Sequence, residues 1–323
     1  MDRRQFIAGL AGSTLWSPSG MAQVSAPHRR MGMLDTSPRP VNINFGKLQQ
    51  ELAQRGLVDG RNLTIEYRSA DGGNEMFAAM ARELAALNVD VIVTRGTPAA
   101  LAARAATTTI PVVMAAAGDP IGIARSRDRP ALNMTGFGAS VAGAEGRRIE
   151  VLKQMLPRLE RIAALMNLSN PSRRAEWGEI ETAARSMGIA AQVLDIRALA
   201  DIERAFETAS RSAADAIVVG SDTAIQTNQK LVVVLAATHR LPAMYTFRDF
   251  VEAGGLVSYG VSLPDLYRRA AGYVDRILKG EKPADLPIEQ PSKFDLVVNG
   301  KAMKMLGLDP PAPFMARADE VIE

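Results

Sequence analysis

The chain has 323 residues, enough for two domains of ordinary size, each with its own core. Apolar residues make up 47% and charged residues 23%, the balance of a folded soluble protein and not of a disordered one. A formal net charge of +3 gives no electrostatic case for nucleic acid as a partner, despite a pI of 9.2.

That balance weakens further without the first 22 residues, which hold Arg3, Arg4 and Asp2 and leave 36 basic against 34 acidic side chains. The absence of cysteine excludes a disulfide framework, a thiolate metal site, a cysteine nucleophile and a lipid-bearing N-terminal cysteine. The two histidines, His28 and His239, leave zinc and Ser-His-Asp chemistry almost nothing to work with. No catalytic residue, metal site or cofactor is expected.

Residues 1–22 read as an export signal: a charged start, a short apolar run of small residues, and small residues near Gly20-Met21-Ala22 where a signal peptidase cuts. Arg3-Arg4 followed by Gln5-Phe6-Ile7 resembles a twin-arginine signal, and a Sec signal with two arginines is the plainer alternative. The expectation is a cleaved, exported, periplasmic protein.

From there the elements alternate. A strand over 30–35 leads through the turn Thr36-Ser37-Pro38-Arg39-Pro40 to a helix over 45–55, with apolar spacing at Phe45, Leu48 and Leu52. A strand over 62–68 follows, then a helix over 75–87 with Asn74 as its cap. The stretch 88–119 reads as a buried strand, the turn Gly96-Thr97-Pro98, a helix, a second buried strand and Asp119 at its end. A strand over 133–138 closes this first series, whose order implies a parallel sheet covered by helices.

A second series repeats the plan: helix 142–156, strand 161–167, helix 174–187, strand 190–196, helix 201–210, strand 215–220, helix 222–238 and strand 243–246. After Gly254-Gly255 come a helix over 263–279, a proline-bracketed stretch, a strand over 294–299, a helix over 300–306 and a last helical turn. These final pieces are too few for a third domain and are expected to complete the two sheets. The recurrence of the strand–turn–helix–strand unit at 88–119 and 215–246 points to two similar lobes facing each other.

Thr97 suits a helix N-cap and Pro98 a first helical position, and the free amides of that helix start would face the crevice beyond the strand ends, where a carboxylate fits. Asp222 and Asp119, at matching positions in the two halves, either cap helices or face the cleft and accept a ligand ammonium. Gly136-Phe137-Gly138 falls short of a dinucleotide fingerprint because Val141 holds the third glycine position, so the glycines more simply permit a chain crossing between lobes. His239 ends a helix and reads as a cap of its carbonyls. Tyr67, Tyr245, Phe247 and Tyr259 either pack in the core or build a stacking wall for a ligand.

Several stretches together are specific. Residues 57–68 (Leu57-Val-Asp-Gly60-Arg-Asn62-Leu-Thr-Ile-Glu66-Tyr67-Arg68), Gly96-Thr97-Pro98-Ala99, Asp119-Pro120, Asn133-Met134-Thr135-Gly136, residues 250–260, Leu266-Tyr267-Arg268-Arg269-Ala270 and residues 316–322 resemble the ABC-transporter substrate-binding proteins of the tryptophan/tyrosine type. The resemblance covers nearly all of the chain after its export signal. It departs at Arg39 in the proline-rich first turn, at Ala131-Leu132 and at Gly220.

The resemblance implies an α/β fold of two doubly wound parallel-sheet lobes joined by three crossovers, as in type I periplasmic binding proteins. It sets lobe 1 at residues 23–138 plus 261–291, and lobe 2 at 139–260 plus 292–323. It implies a monomer that closes on a small amino-acid-like or carboxylate solute and hands it to an ABC permease in the inner membrane. The pocket it implies lies around Thr36, Ser37, Gly96, Thr97, Asp119, Asn170, Ser221, Asp222 and Tyr245. A ligand-sensing module that signals through a partner would share the same fold and cleft.

Overall fold

The computed structural model describes residues 28–124 and 133–323; the expected export signal and the departure at Ala131-Leu132 lie outside the described residues. The first series runs β1 (Arg29–Asp35), α1 (Ile43–Gln54), β2 (Leu63–Ser69), α2 (Phe77–Ala86), β3 (Val91–Arg95), α3 (Thr97–Ala106), β4 (Val112–Ala117), α4 (Pro120–Ala124) and β5 (Met134–Gly138). The second runs α5 (Ala144–Met155), β6 (Arg161–Met166), α6 (Pro171–Ser186), β7 (Ala190–Asp195), α7 (Leu199–Arg211), β8 (Ala216–Val219), α8 (Thr223–Thr227), α9 (Gln229–Thr238), β9 (Ala243–Tyr245), α10 (Arg248–Glu252) and β10 (Val257–Gly260). The chain then adds α11 (Leu263–Leu278), β11 (Ile288–Glu289), β12 (Asp295–Asn299), α12 (Gly300–Leu306), α13 (Ala312–Met315) and β13 (Glu320–Ile322).

Two sheets result, ordered β11-β5-β4-β3-β1-β2 and β13-β12-β10-β9-β8-β6-β7. The first is parallel throughout, and in the second the antiparallel pairing is that of β12 with β10, so that β12 and β13 run against the other strands. The chain passes between sheets three times: from β5 into α5, from β10 into α11, and from β11 into β12. The architecture is two α/β lobes of the type I periplasmic-binding kind.

Each sheet is apolar on both faces, as strands covered by helices on either side require. In the first, Met31, Met33, Val91 and Val93 pack with Phe45, Leu48 and Leu52 of α1 and with Tyr267 and Val274 of α11. The alternate residues Leu34, Ile92, Val112 and Met114 pack with Phe77, Ala81 and Leu84 of α2 and Ala99, Ala100 and Ala103 of α3. The second sheet repeats this, with Ile162, Ala164, Val218 and Met244 turned towards α5 and α6, and Ala163, Leu165, Ile217 and Val219 towards α7 and α9. The parallel direction of the strands other than β12 and β13 places their carboxyl ends along one edge of each sheet.

Four local expectations change. The helix read as 222–238 breaks at Asn228, whose side-chain amide bonds the Ala224 carbonyl at 2.8 Å and competes with the helical ladder. The five-residue α10 is too short to carry a periodic pattern. The tail ends in a strand as well as a helical turn, because β13 finds an open edge beside β12. Gly136, with φ +131°, serves strand contact and not a crossing: a Cβ there would sit 2.2 Å from the Met114 carbonyl oxygen.

Candidate functional site

Six strand ends converge between the lobes on an enclosed cavity of about 40 Å³. From the first lobe come Thr36 after β1, Arg95, Gly96 and Thr97 after β3, and Gly118 after β4. Opposite them lie Asn170 after β6, Ser221 and Asp222 after β8, and Thr246 and Phe247 after β9. Doubly wound sheets bind ligands at this edge, because loops diverge there and helices begin there.

Gly96, at φ 82°, is the residue that turns β3 into α3 and is itself the cap position. Thr97 is therefore the first helical residue and not the cap. Its hydroxyl accepts from the Gly118 amide at 3.1 Å and meets the Ser172 hydroxyl of the other lobe at 2.8 Å. No side chain caps α3, so its leading amides remain available beside the cavity.

Asp222 precedes α8 without capping it. Its carboxylate, 5% exposed, accepts from the side-chain amides of Asn167 and Asn170, both at 3.0 Å, and from Asn74 of the facing lobe at 3.2 Å. Among the described residues no cation pairs with it; amide donors alone hold the buried charge. Asn74, expected to cap a helix, instead spans the cleft, and its carbonyl oxygen also accepts from the Thr223 hydroxyl at 2.5 Å.

Further side chains bridge the lobes: Arg95 donates to Gln226 at 3.1 Å, Thr227 to the Thr36 carbonyl at 3.1 Å, and Asn44 to Asp249 at 2.9 Å. Arg95 is anchored from below by the Thr36 hydroxyl and by Asp35, 3.9 Å away, which also accepts from Tyr267 at 2.7 Å.

Three expected site residues lie elsewhere. Asp119 is exposed, and its carboxylate accepts from the Gly122 amide at 2.9 Å, capping α4. Tyr245 is fully buried on the outer face of the second sheet, stacked on Phe250 at 4.8 Å, because β9 turns it away from the cleft. Ser37 sits in an adjacent groove, its carbonyl held by the Tyr67 hydroxyl at 2.7 Å. Arg39 of the same turn pairs with Asp59 at 2.5 Å. Tyr259 stacks on Phe294, so of the four aromatics singled out in the sequence only Phe247 lines the cavity.

The second lobe also presents a charged wall, absent from the sequence-based expectations. α5 and α6 bring Glu145, Arg148, Arg173 and Glu176 to the cavity, all of them buried. Arg148 pairs with Glu145 and donates to the Tyr259 carbonyl at 2.7 Å, and Arg173 approaches Glu176 at 2.5 Å. Burial pushes the Glu176 carboxyl from its ordinary 4.5 up to about 8, against the pull of Arg173, and Glu145 adds to the rise. The lining carries Arg95, Arg148 and Arg173 against Glu145, Glu176 and Asp222, and the rise at Glu176 tilts that balance towards positive charge. The only sequence signal for this wall is an acid and an arginine three residues apart near the start of each helix, a spacing common on solvated faces.

The sequence pattern of ABC transporter substrate binding proteins matches residues 42–322. The chain belongs to this family.

Related proteins agree with that assignment. This substrate-binding protein is 22% identical over 259 residues to a tyrosine-binding protein of Clostridioides difficile, covering 80% of this chain and 74% of the relative. A conserved domain protein from Vibrio cholerae superposes with a TM-score of 0.82 at 26% identity, over 91% of this chain and 99% of the other. An ABC domain from Streptococcus pneumoniae solved in complex with L-Trp superposes with a TM-score of 0.80 at 28% identity, over 90% and 100%.

Proposed function

We propose that this chain is the solute-capturing component of an ABC importer, taking up a small amino-acid-like or carboxylate solute between its lobes and passing it to an inner-membrane permease. Its work is then binding and delivery, with no chemical step. Family members normally act in the periplasm or outside the cell, and residues 1–22 read as a matching export signal.

The observation that carries this reading is Asp222. A buried carboxylate between two lobes, held by three asparagine amides and by no cation among the described residues, is a site prepared for a ligand ammonium. The uncapped start of α3 and the arginines of the lining complement a solute carboxylate across the same cavity. The tyrosine-binding relative and the L-Trp complex are in keeping with an amino-acid ligand.

Closure follows from the same contacts. Thr97–Ser172, Arg95–Gln226 and Asn74–Asp222 exist only while the lobes meet, so a solute touching both walls stabilises that state over an open one. Native mass spectrometry of the protein purified from its own host's extracytoplasmic fraction identifies what it carries. Thermal-shift measurements with amino acids and small carboxylates then show stabilisation that Asp222→Asn abolishes. A sugar or nucleotide as the carried species, with no response to amino acids or carboxylates, would overturn the reading.

A further inference from the structure

We propose that the charged wall of the second lobe selects a solute whose side chain is polar and hydrogen-bonding, as a carboxamide or hydroxyl is, over an aromatic amino acid. This rests on the reading of the cleft as the solute site and specifies the class of solute within it.

A slot for a phenol or indole ring is built from apolar and aromatic side chains. Here Phe247 is the only aromatic in the lining among the described residues, and Tyr245 faces the opposite side of its sheet. The second lobe contributes Glu145, Arg148, Arg173 and Glu176 instead. Burying such ion pairs is costly, and well-packed apolar residues of similar volume would hold the two helices together as well or better. Charge retained at the wall of a binding cavity therefore points to recognition.

The hydrogen bonding of the wall is incomplete. Arg148 is engaged by Glu145 and the Tyr259 carbonyl, and Glu176 Oε2 meets Arg173 Nη1 at 2.5 Å, but Arg173 Nε is buried without a hydrogen-bond partner among the described residues. Gln226 Nε2, in the lining nearer Arg95, is a second such atom. An aromatic ring offers these donors no acceptor, whereas an amide or hydroxyl oxygen can accept from Arg173 or Gln226.

Isothermal titration of the purified protein with L-Gln, L-Asn, L-Ser, L-Tyr and L-Trp tests this. The polar amino acids are expected to bind at least about tenfold more tightly than the aromatic ones, the discrimination that unpaired site groups supply. Arg173→Met combined with Glu176→Met replaces the pair by apolar side chains of similar length and is expected to remove that preference. Tightest binding of L-Tyr or L-Trp by the unmodified protein overturns the inference and leaves the cleft reading intact. Binding of none of the five also overturns the inference, and the thermal-shift screen of amino acids and carboxylates then decides the cleft reading by itself. The isosteric Glu176→Gln protein serves if the double variant fails to fold, and an unchanged order of affinities in whichever variant folds also overturns the inference.

Discussion

The side-chain amide of Asn74 in the first lobe donates to the carboxylate of Asp222 in the second, 3.2 Å away, while its carbonyl oxygen accepts from Thr223. One short side chain thus ties the cleft shut from the rim and completes the ring of amides around a buried negative charge. Two consequences meet there: the arrangement with the lobes in contact has its own polar contacts, and the buried acid is held in position by amides of both lobes.

Asn74→Ala removes these cross-lobe bonds and favours an open arrangement. With a net value of about 1 kcal/mol for such bonds, solute affinity should fall roughly fivefold through the shift in population. Titration calorimetry on the variant checks this. Unchanged or tighter binding would mean that Asn74 competes with the solute for Asp222.

The Tyr245 hydroxyl is buried and has no hydrogen-bond partner among the described residues. Removing an unsatisfied polar atom while keeping the ring should be neutral or stabilising by up to about 1 kcal/mol. The Tyr245→Phe protein should therefore melt no lower than the parent and bind solute equally well. A marked loss of affinity would return Tyr245 to the site.

Glu176 gives the fold a pH dependence of definite sign. Its carboxyl is raised in the folded state from 4.5 to about 8, so between those values the folded chain holds a proton that the unfolded chain has released. Stability should fall as pH rises through that window and level off above it. Melting temperatures of the parent and Glu176→Gln proteins from pH 4 to 9 test this, and the variant should show the shallower slope. Parallel profiles would be evidence that Glu176 ionises normally.

Gly136→Ala should be among the most damaging small substitutions. The added Cβ meets the Met114 backbone in the paired strand, and φ +131° is a conformation other residues rarely adopt. A loss of about 3 kcal/mol or more is expected in urea unfolding. A loss under about 1 kcal/mol would show that β4 and β5 can separate at little cost.

Legibility of the site followed position along the strands. Thr36, Gly96, Thr97, Asn170, Ser221 and Asp222 all stand just past strand ends, where a doubly wound sheet places its ligand, and all six line the cavity. Tyr245 is the last residue of its strand, and the one-residue difference in phase puts it on the other face. Asp119 lies past a strand end too, but the short helix behind it claims its carboxylate.

Taken alone, the sequence was sufficient for the alternation of the main strands and helices and for the two-lobed plan, because hydrophobic period and turn residues act over a few positions and are written locally, while the family rested on the likeness of specific stretches. The direction of β12, the break at Asn228 and the reassignment of Thr97 and Asn74 came only with the tertiary structure. So did the wall of Glu145, Arg148, Arg173 and Glu176. A charged residue on a helix reads as solvated until a second lobe covers it, and a cap reads as a cap until a better partner faces it. Contacts between residues more than a hundred positions apart, such as Asn74 with Asp222, leave no local pattern; packing of the two lobes decides them.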